Sequence, residues 1–201
     1  MIKAIIFDWG NVLIGNGEVE RLNYFSKVLN VSEDKLKPVL SKYITLFDTG
    51  ALDEETLWMK VQEDLGSRDI KVLTIWKKAW DEIYFEFEEM WEIARKLKSN
   101  GYKLALLSNT EKPTTELSVS PEYAIFDAKV FSCLEGVRKP DRKIYEITLG
   151  RLGVKPEEAV FIDDREDYVE GAKIVGLRAI HHNPENISKT VSELKSHGVK
   201  V

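Results

Sequence analysis

Two hydrophobic patterns alternate along most of the chain. Short, nearly continuous apolar runs predict strands of a parallel sheet, because such strands are buried on both faces. Between them, helical spacing predicts one helix over about 87–97, ended by Gly101, and another that opens at Pro140 and ends at Gly153. The alternation predicts a doubly wound α/β fold with a mainly parallel sheet. The predicted strands are 2–7, 103–107, 129–131, 159–162 and 177–180.

The segment 15–86 has a different pattern. It contains four stretches of helical spacing and no convincing strand, with Asp53 placed to cap the third stretch and Val72 within the fourth. We predict a core domain of residues 1–14 and 87–201, and a small α-helical cap of residues 15–86 inserted after the first strand. The alternative is that these helices form a plain layer of the core.

Composition narrows the class of protein. A chain of 201 residues suits one domain with a small insertion, and 43% hydrophobic with 31% charged residues is an ordinary globular balance. With Cys133 as the single cysteine, no internal disulfide can form. The net charge of -5 disfavours a nucleic-acid partner, and no apolar run has the length of a signal peptide or membrane span. We expect a cytoplasmic protein without a membrane partner.

Polar residues follow three of the predicted strands, and a lysine precedes a predicted helix. In open α/β sheets, ligands bind at the carboxyl ends of the strands, so we expect these residues to form one site. They are Asp8, Asn11, Ser108, Asn109, Thr110, Lys139, Asp163 and Asp164.

The chemistry of that set favours phosphoryl transfer. Neighbouring carboxylates repel one another, and a hard cation such as Mg²⁺ relieves the repulsion. One carboxylate can attack phosphorus and form an acyl phosphate. A hydroxyl, backbone N–H groups and a lysine ammonium can then neutralise the transferring phosphoryl oxygens.

Four segments of the chain resemble the motifs of the haloacid dehalogenase (HAD) superfamily, in the same order. The similarity is greatest to its phosphatase-like members with a helical cap after the first strand. It covers residues 1–13 and about 100–180, whereas the cap matches only by position and helicity. The four segments are 5–13 (IIFDWGNVL), 106–110 (LLSNT), 138–141 (RKPD) and 161–164 (FIDD).

The resemblance implies a Rossmann-like core and a Mg²⁺-dependent phosphohydrolase that acts on a small phosphorylated metabolite. Asp8 would be the nucleophile and carry an aspartyl-phosphate. Ser108 and the backbone of Asn109 would hold the phosphoryl oxygens. Lys139 would neutralise charge and orient Asp8.

The resemblance also implies a metal site. Asp8 and Asp164 would bind Mg²⁺, and Asp163 would bind it directly or through water. The main-chain carbonyl of Gly10 would supply a further ligand, a role that any side chain permits.

One position departs from the family pattern. Phosphatases of this family usually carry a second aspartate two residues after the nucleophile, where this chain has Gly10. That aspartate protonates the leaving oxygen, and general acid–base catalysis is typically worth about 10²–10⁴-fold. An acid from the cap, Glu18 or Glu20, is an open possibility.

Two other functions stay open. The chain could be a non-catalytic or weakly active HAD-fold binding or regulatory protein, with Gly10 as the trace of lost catalysis. It could also be a 2-haloacid dehalogenase, although that chemistry needs no metal. Trp58, Trp76 and Trp80 lie at helical spacing, which favours positions in a core over contacts with a substrate.

Overall fold

The computed structural model describes residues 1–15, 17–66 and 75–201. In these ranges, five parallel strands form one sheet in the order β3-β2-β1-β4-β5. The predicted α/β fold is confirmed, and each predicted strand is present with its ends shifted by no more than two residues. The strands are β1 Ala4–Phe7, β2 Lys103–Ser108, β3 Ala128–Phe131, β4 Ala159–Asp163 and β5 Arg178–His181.

Helices connect the strands and cover both faces of the sheet. None of the helices in the described ranges has the length and apolar character needed to span a bilayer. The helices are α1 Glu18–Leu29, α2 Glu33–Asp48, α3 Glu54–Asp64, α4 Ile75–Ile83, α5 Glu88–Ser99, α6 Lys112–Thr115, α7 Ser132–Glu135, α8 Arg142–Leu152, α9 Glu166–Val175 and α10 Ile187–Ser196. Short 3-10 turns lie at Glu116–Val119, Pro121–Ile125 and Pro156–Glu158.

The central strand β1 shows why the apolar runs are continuous. Ile5 and Phe7 pack into one hydrophobic cluster, which includes side chains of α5 and α10. Ala4 and Ile6 pack into a second cluster, which includes side chains of α8 and α9. Successive side chains of a strand point to opposite faces, so a strand covered on both faces needs apolar residues at every position.

The helix ends follow the local sequence signals. Asp53 caps α3, and its side chain accepts a hydrogen bond of 2.7 Å from the backbone N–H of Thr56. Gly153 ends α8 as predicted, with a φ of 63° that favours glycine.

The start of α8 differs from the prediction. The helix begins at Arg142 rather than at Pro140, because the side chain of Asp141 caps it and accepts a hydrogen bond of 2.8 Å from the backbone N–H of Lys143. An aspartate at this position is a stronger start signal than the proline before it.

The predicted cap segment contains helices α1 to α4. Its two connections to the sheet run side by side: Gly15 N donates to Phe85 O at 3.0 Å, and Phe87 N donates to Leu13 O at 2.9 Å. Val72, assigned to the fourth helical stretch, lies outside the described residues. The division into a core of 1–14 and 87–201 and a cap of 15–86 stays a prediction.

Aromatic side chains form the interior of this segment. The Phe25 ring centroid lies 4.8 Å from that of Trp58 and 5.0 Å from that of Trp76, and Phe47 lies 4.9 Å from Trp76. Each of these four side chains is buried. Their burial holds the helices of the segment together.

Candidate active site

The sheet brings two acidic residues side by side. Phe7 of β1 is in register with Ile162 of β4. Asp8 directly follows β1, and Asp163 is the last residue of β4. Asp8 therefore lies next to Asp163, and the Asp8 N–H donates to Ile162 O at 2.9 Å. Asp8 is 7% exposed and Asp163 is fully buried.

A buried lysine joins these two carboxylates. Lys139 Nζ lies 2.7 Å from Asp8 Oδ1 and 2.5 Å from Asp163 Oδ2, and the residue is 1% exposed. Removing the lysine from such a group would leave two carboxylates buried and unpaired, which is strongly destabilising. The three side chains therefore act as one unit.

The side chain of Asn109 positions this lysine. Its Oδ1 accepts from the Lys139 N–H at 2.8 Å, and its Nδ2 donates to the Lys139 carbonyl at 2.9 Å. The two bonds tie the loop after β2 to the segment before α8. The family resemblance implies a role for the Asn109 backbone only, so this role of its side chain is an additional one.

A third carboxylate completes an acidic cluster. Oxygens of Asp8, Asp163 and Asp164 all lie within 4.8 Å of one another. Asn11 Nδ2 donates to Asp164 Oδ2 at 2.9 Å. Because Lys139 supplies one positive charge against three carboxylates, the ionised cluster carries excess negative charge. Carboxylate oxygens in this arrangement suit a hard divalent cation.

The pKa values of the cluster reflect the same imbalance. Burial raises the pKa of Asp8 to about 7, with a further contribution from Asp163, while Lys139 acts in the opposite direction. Burial also raises the pKa of Asp163, again against Lys139. Burial alone would lower the pKa of Lys139, but the two carboxylates outweigh it and the pKa is raised. The lysine therefore stays protonated, and the two aspartates hold a proton more readily than exposed carboxylates do.

A cavity of about 310 Å³ opens above this edge of the sheet. Ser108 lies at the carboxyl end of β2 and is 5% exposed. The structure thus brings the predicted site residues together, with Asp163 buried beneath the cavity wall. The predicted residues that line the cavity are Asp8, Gly10, Ser108, Asn109, Thr110, Lys139 and Asp164.

Helices of the segment 15–86 form the opposite wall. Trp58, Trp76 and Trp80 are all buried, as the spacing predicted, but Trp76 and Trp80 also line the cavity. Of the two acids considered in this segment, Glu18 lines the cavity and is exposed, whereas Glu20 is not among the described lining residues.

The sequence patterns did not single out three charged residues that are buried or half-buried near this wall. Arg21 of α1, Asp48 of α2 and Glu111 all line the cavity. Burial raises the pKa of Asp48 to about 7, with a contribution from Glu111. Glu111 directly follows the polar residues after β2, so its position was a usable signal. Arg21 and Asp48 carry no such signal.

Comparisons with known proteins agree with this geometry. A family model described as haloacid dehalogenase-like hydrolase matches residues 2–176. A phosphorylated carbohydrates phosphatase of Thermotoga maritima is 29% identical over 187 residues, which is 90% of this chain and 84% of that protein. Acyl-CoA dehydrogenase family member 10 of Mus musculus is 31% identical over 116 residues, 57% of this chain. The chain spans 11% of that longer protein.

Among solved structures, a HAD family enzyme of Bacteroides thetaiotaomicron superposes with a TM-score of 0.80 at 20% identity. The match covers 95% of this chain and 98% of that chain. At this level of identity, the match supports the fold. The same enzyme has also been solved in complex with magnesium and inorganic phosphate.

Proposed function

Because the chain belongs to the haloacid dehalogenase-like hydrolases and is a hydrolase of their phosphatase-like kind, we propose that it is a Mg²⁺-dependent phosphohydrolase with Asp8 as its nucleophile. It would remove the phosphoryl group of a small phosphorylated metabolite. The observation that carries the proposal is the buried lysine held between two carboxylates at the floor of the cavity.

The proposed reaction has two steps on Asp8. A carboxylate oxygen forms a bond to phosphorus, the bond to the leaving oxygen breaks, and that oxygen takes up a proton. Water then attacks the phosphorus of the aspartyl-phosphate, which releases phosphate and regenerates Asp8. Lys139 holds Asp8 Oδ1, so the orientation of the carboxylate is set before the substrate arrives.

Ser108 and Asn109 are the proposed phosphoryl-binding residues, together with Lys139. Ser108 lies at the end of β2 and lines the same cavity as Asp8. A hydroxyl, a backbone N–H and an ammonium are donors suited to oxygens that gain negative charge during the transfer.

Asp8, Asp163, Asp164 and the main-chain carbonyl of Gly10 are the proposed Mg²⁺ ligands. The clustered carboxylate oxygens and their excess negative charge support this assignment. A bound Mg²⁺ would neutralise charge on the carboxylates and on the phosphoryl oxygens. The magnesium and phosphate complex of the similar Bacteroides enzyme is consistent with it.

A metal titration tests this function. We expect release of nitrophenol from 4-nitrophenyl phosphate to be lost in EDTA and restored by Mg²⁺. Asp164→Asn should weaken Mg²⁺ binding by at least about 10-fold, because it removes one proposed ligand charge. Calorimetric titration with Mg²⁺ measures that affinity without turnover.

The matched control for this titration is Asp34→Asn, which removes an exposed aspartate of α2. It should leave both Mg²⁺ affinity and turnover unchanged. Turnover that persists in EDTA, or an Asp164→Asn variant that binds Mg²⁺ as tightly as the native chain, would contradict the proposed metal site.

The absence of a carboxylate at Gly10 leaves a second candidate function open. It lines the cavity where phosphatases of the family usually have a carboxylate, so a weakly active or non-catalytic binding protein is the alternative. Mg²⁺ binding without any turnover would favour that alternative. The clustering of Asp163 and Asp164 argues against a metal-independent dehalogenase, since these carboxylates would then lack a cation.

Gly10 also predicts a dependence on the leaving group. Without a nearby acid, a leaving oxygen that needs a proton departs slowly, so aryl and acyl phosphates should react faster than sugar phosphates. The ratio of the aryl phosphate rate to the sugar phosphate rate should exceed that of a phosphatase with this acid by about 10²–10⁴-fold. The measurement is kcat/KM over a series of phosphate esters with different leaving-group pKa values.

The variant Gly10→Asp supplies the comparison for this series. It should flatten the dependence and accelerate sugar phosphates more than aryl phosphates. A native chain that already shows a flat dependence would mean that another acid is present. In that case Glu18→Gln should make kcat/KM depend more steeply on the leaving-group pKa, because Glu18 lines the cavity.

A further inference from the structure

One arginine on the wall opposite Asp8 has no hydrogen-bond acceptor among the residues that the structure describes. Arg21 of α1 is half-buried and lines the 310 Å³ cavity that also contains Asp8 and Lys139. Its guanidinium carbon lies 4.6 Å from the ring centroid of Trp80 and 5.6 Å from that of Trp76. Ring contacts are thus its direct interactions within the described ranges.

These ring contacts hold the guanidinium in place without using its donors. Attraction to the face of Trp80 or Trp76 acts through the charge, whereas the five N–H groups of Arg21 form a rigid planar fork. These donors lie at the cavity and have no protein acceptor within the described ranges, so an acceptor on a ligand can use them. The arrangement suits an acceptor that arrives with a ligand.

The neighbouring acids already have partners. Glu111 accepts hydrogen bonds from Trp76 Nε1 and Thr114 Oγ1. Asp48 Oδ2 lies 3.5 Å from Arg138 Nη1. These contacts direct the two carboxylates away from pairing with Arg21, although their negative charge still acts on anything bound there.

That negative charge selects the kind of acceptor. The cavity lining also contains cations, but the charges that act most on Arg21 are those of Glu111, Glu18 and Asp48. At this end of the cavity they would repel a dianionic phosphate more strongly than a single negative charge. A carboxylate carries one charge, and its two oxygens match the fork of a guanidinium. The cavity volume is near the lower end of ligand sites, which favours a small molecule.

We propose that Arg21 is a specificity residue that binds a carboxylate on the leaving group, so that the substrates are small phosphorylated organic acids. This inference rests on the proposed phosphohydrolase function, because it assumes that the phosphoryl group lies at Asp8. The two ends of the substrate then contact opposite walls of one cavity.

The test compares acids with their own amides. The substrates are phosphate esters of hydroxy acids with two to four carbons, and 3- and 4-carboxyphenyl phosphate, each paired with its primary amide. In the native chain at least one acid should exceed its amide in kcat/KM by about 10- to 100-fold, as expected for a charge-assisted bidentate pair. Arg21→Gln should bring that ratio close to one, and Arg21→Lys should give an intermediate ratio.

The control is Lys27→Gln, which removes an exposed cation from the same helix and should leave the ratio unchanged. Thermal melting of each variant shows that it is folded. Equal rates for acids and amides throughout the panel, or a preference that survives in Arg21→Gln, would overturn the assignment. A preference for bisphosphates over carboxylates would also overturn it.

A binding measurement separates this inference from the proposed function. Calorimetric titration with 3-hydroxybenzoate and 3-hydroxybenzamide needs no chemistry. Tighter binding of the acid, lost in Arg21→Gln, supports the Arg21 site even if no phosphate ester is hydrolysed, an outcome that would refute only the proposed function. Equal binding of acid and amide, together with equal rates, refutes the Arg21 site alone.

Discussion

Asp8→Asn is expected to reduce kcat for 4-nitrophenyl phosphate by about 10⁴–10⁶-fold, as loss of a nucleophile does in other enzymes with covalent intermediates. The amide keeps the shape of the side chain but cannot form the aspartyl-phosphate. Lys139 retains its ion pair with Asp163 in this variant, so the fold should survive. The measurement is steady-state turnover in saturating Mg²⁺, with circular dichroism to confirm folding.

The control for this prediction is again Asp34→Asn, an aspartate-to-asparagine change at an exposed position of α2. Its turnover should match that of the native chain. An Asp8→Asn protein that is folded and retains more than about a tenth of native turnover would show that Asp8 is not the nucleophile. The proposed mechanism would then be wrong.

Lys139→Met is expected to reduce both stability and turnover. The lysine neutralises Asp8 and Asp163 in a buried position, and removing one partner of a buried ion pair typically costs about 3–5 kcal/mol. Turnover should fall because the charge next to the phosphoryl group is lost. Urea unfolding measured without Mg²⁺ gives the change in the free energy of unfolding.

The matched control is Lys143→Met, since Lys143 is exposed on the following helix α8. Its free energy of unfolding should change by less than about 0.5 kcal/mol. Added Mg²⁺ should stabilise Lys139→Met more than it stabilises the native chain, because the unpaired carboxylates then bind the cation. A loss of less than 1 kcal/mol in Lys139→Met would show that the buried ion-pair group contributes little.

Much of the α/β core could be predicted because its signals are local. A strand buried on both faces must be apolar throughout, as Ile5 and Ile6 of β1 are, and a parallel sheet places the ends of its strands at one edge. The aspartates after β1 and at the end of β4 were therefore expected at one edge, and the pairing of β1 with β4 makes them neighbours. The boundary of α8 was less accurate, since Pro140 and Asp141 are both start signals and the stronger cap decided the position.

The contacts that depend on the whole fold could not be predicted in this way. The side chain of Asn109 binds the main chain of a residue 30 positions away, and no spacing rule predicts such a pair. Arg21 lies on a polar position of an ordinary amphipathic helix. Its place beside Trp76 and Trp80 exists only because α1 and α4 pack together above the sheet edge.

The amino-acid sequence by itself determined the fold class, the edge of the sheet at which polar residues collect, and the family resemblance. Those features follow from hydrophobic period and from motifs of a few consecutive residues. The tertiary structure alone decided which charges are paired, where negative charge is in excess, and which side chains face the cavity. Pairing and burial depend on distances between residues far apart in the chain, as the contact of Lys139 with Asp8 shows.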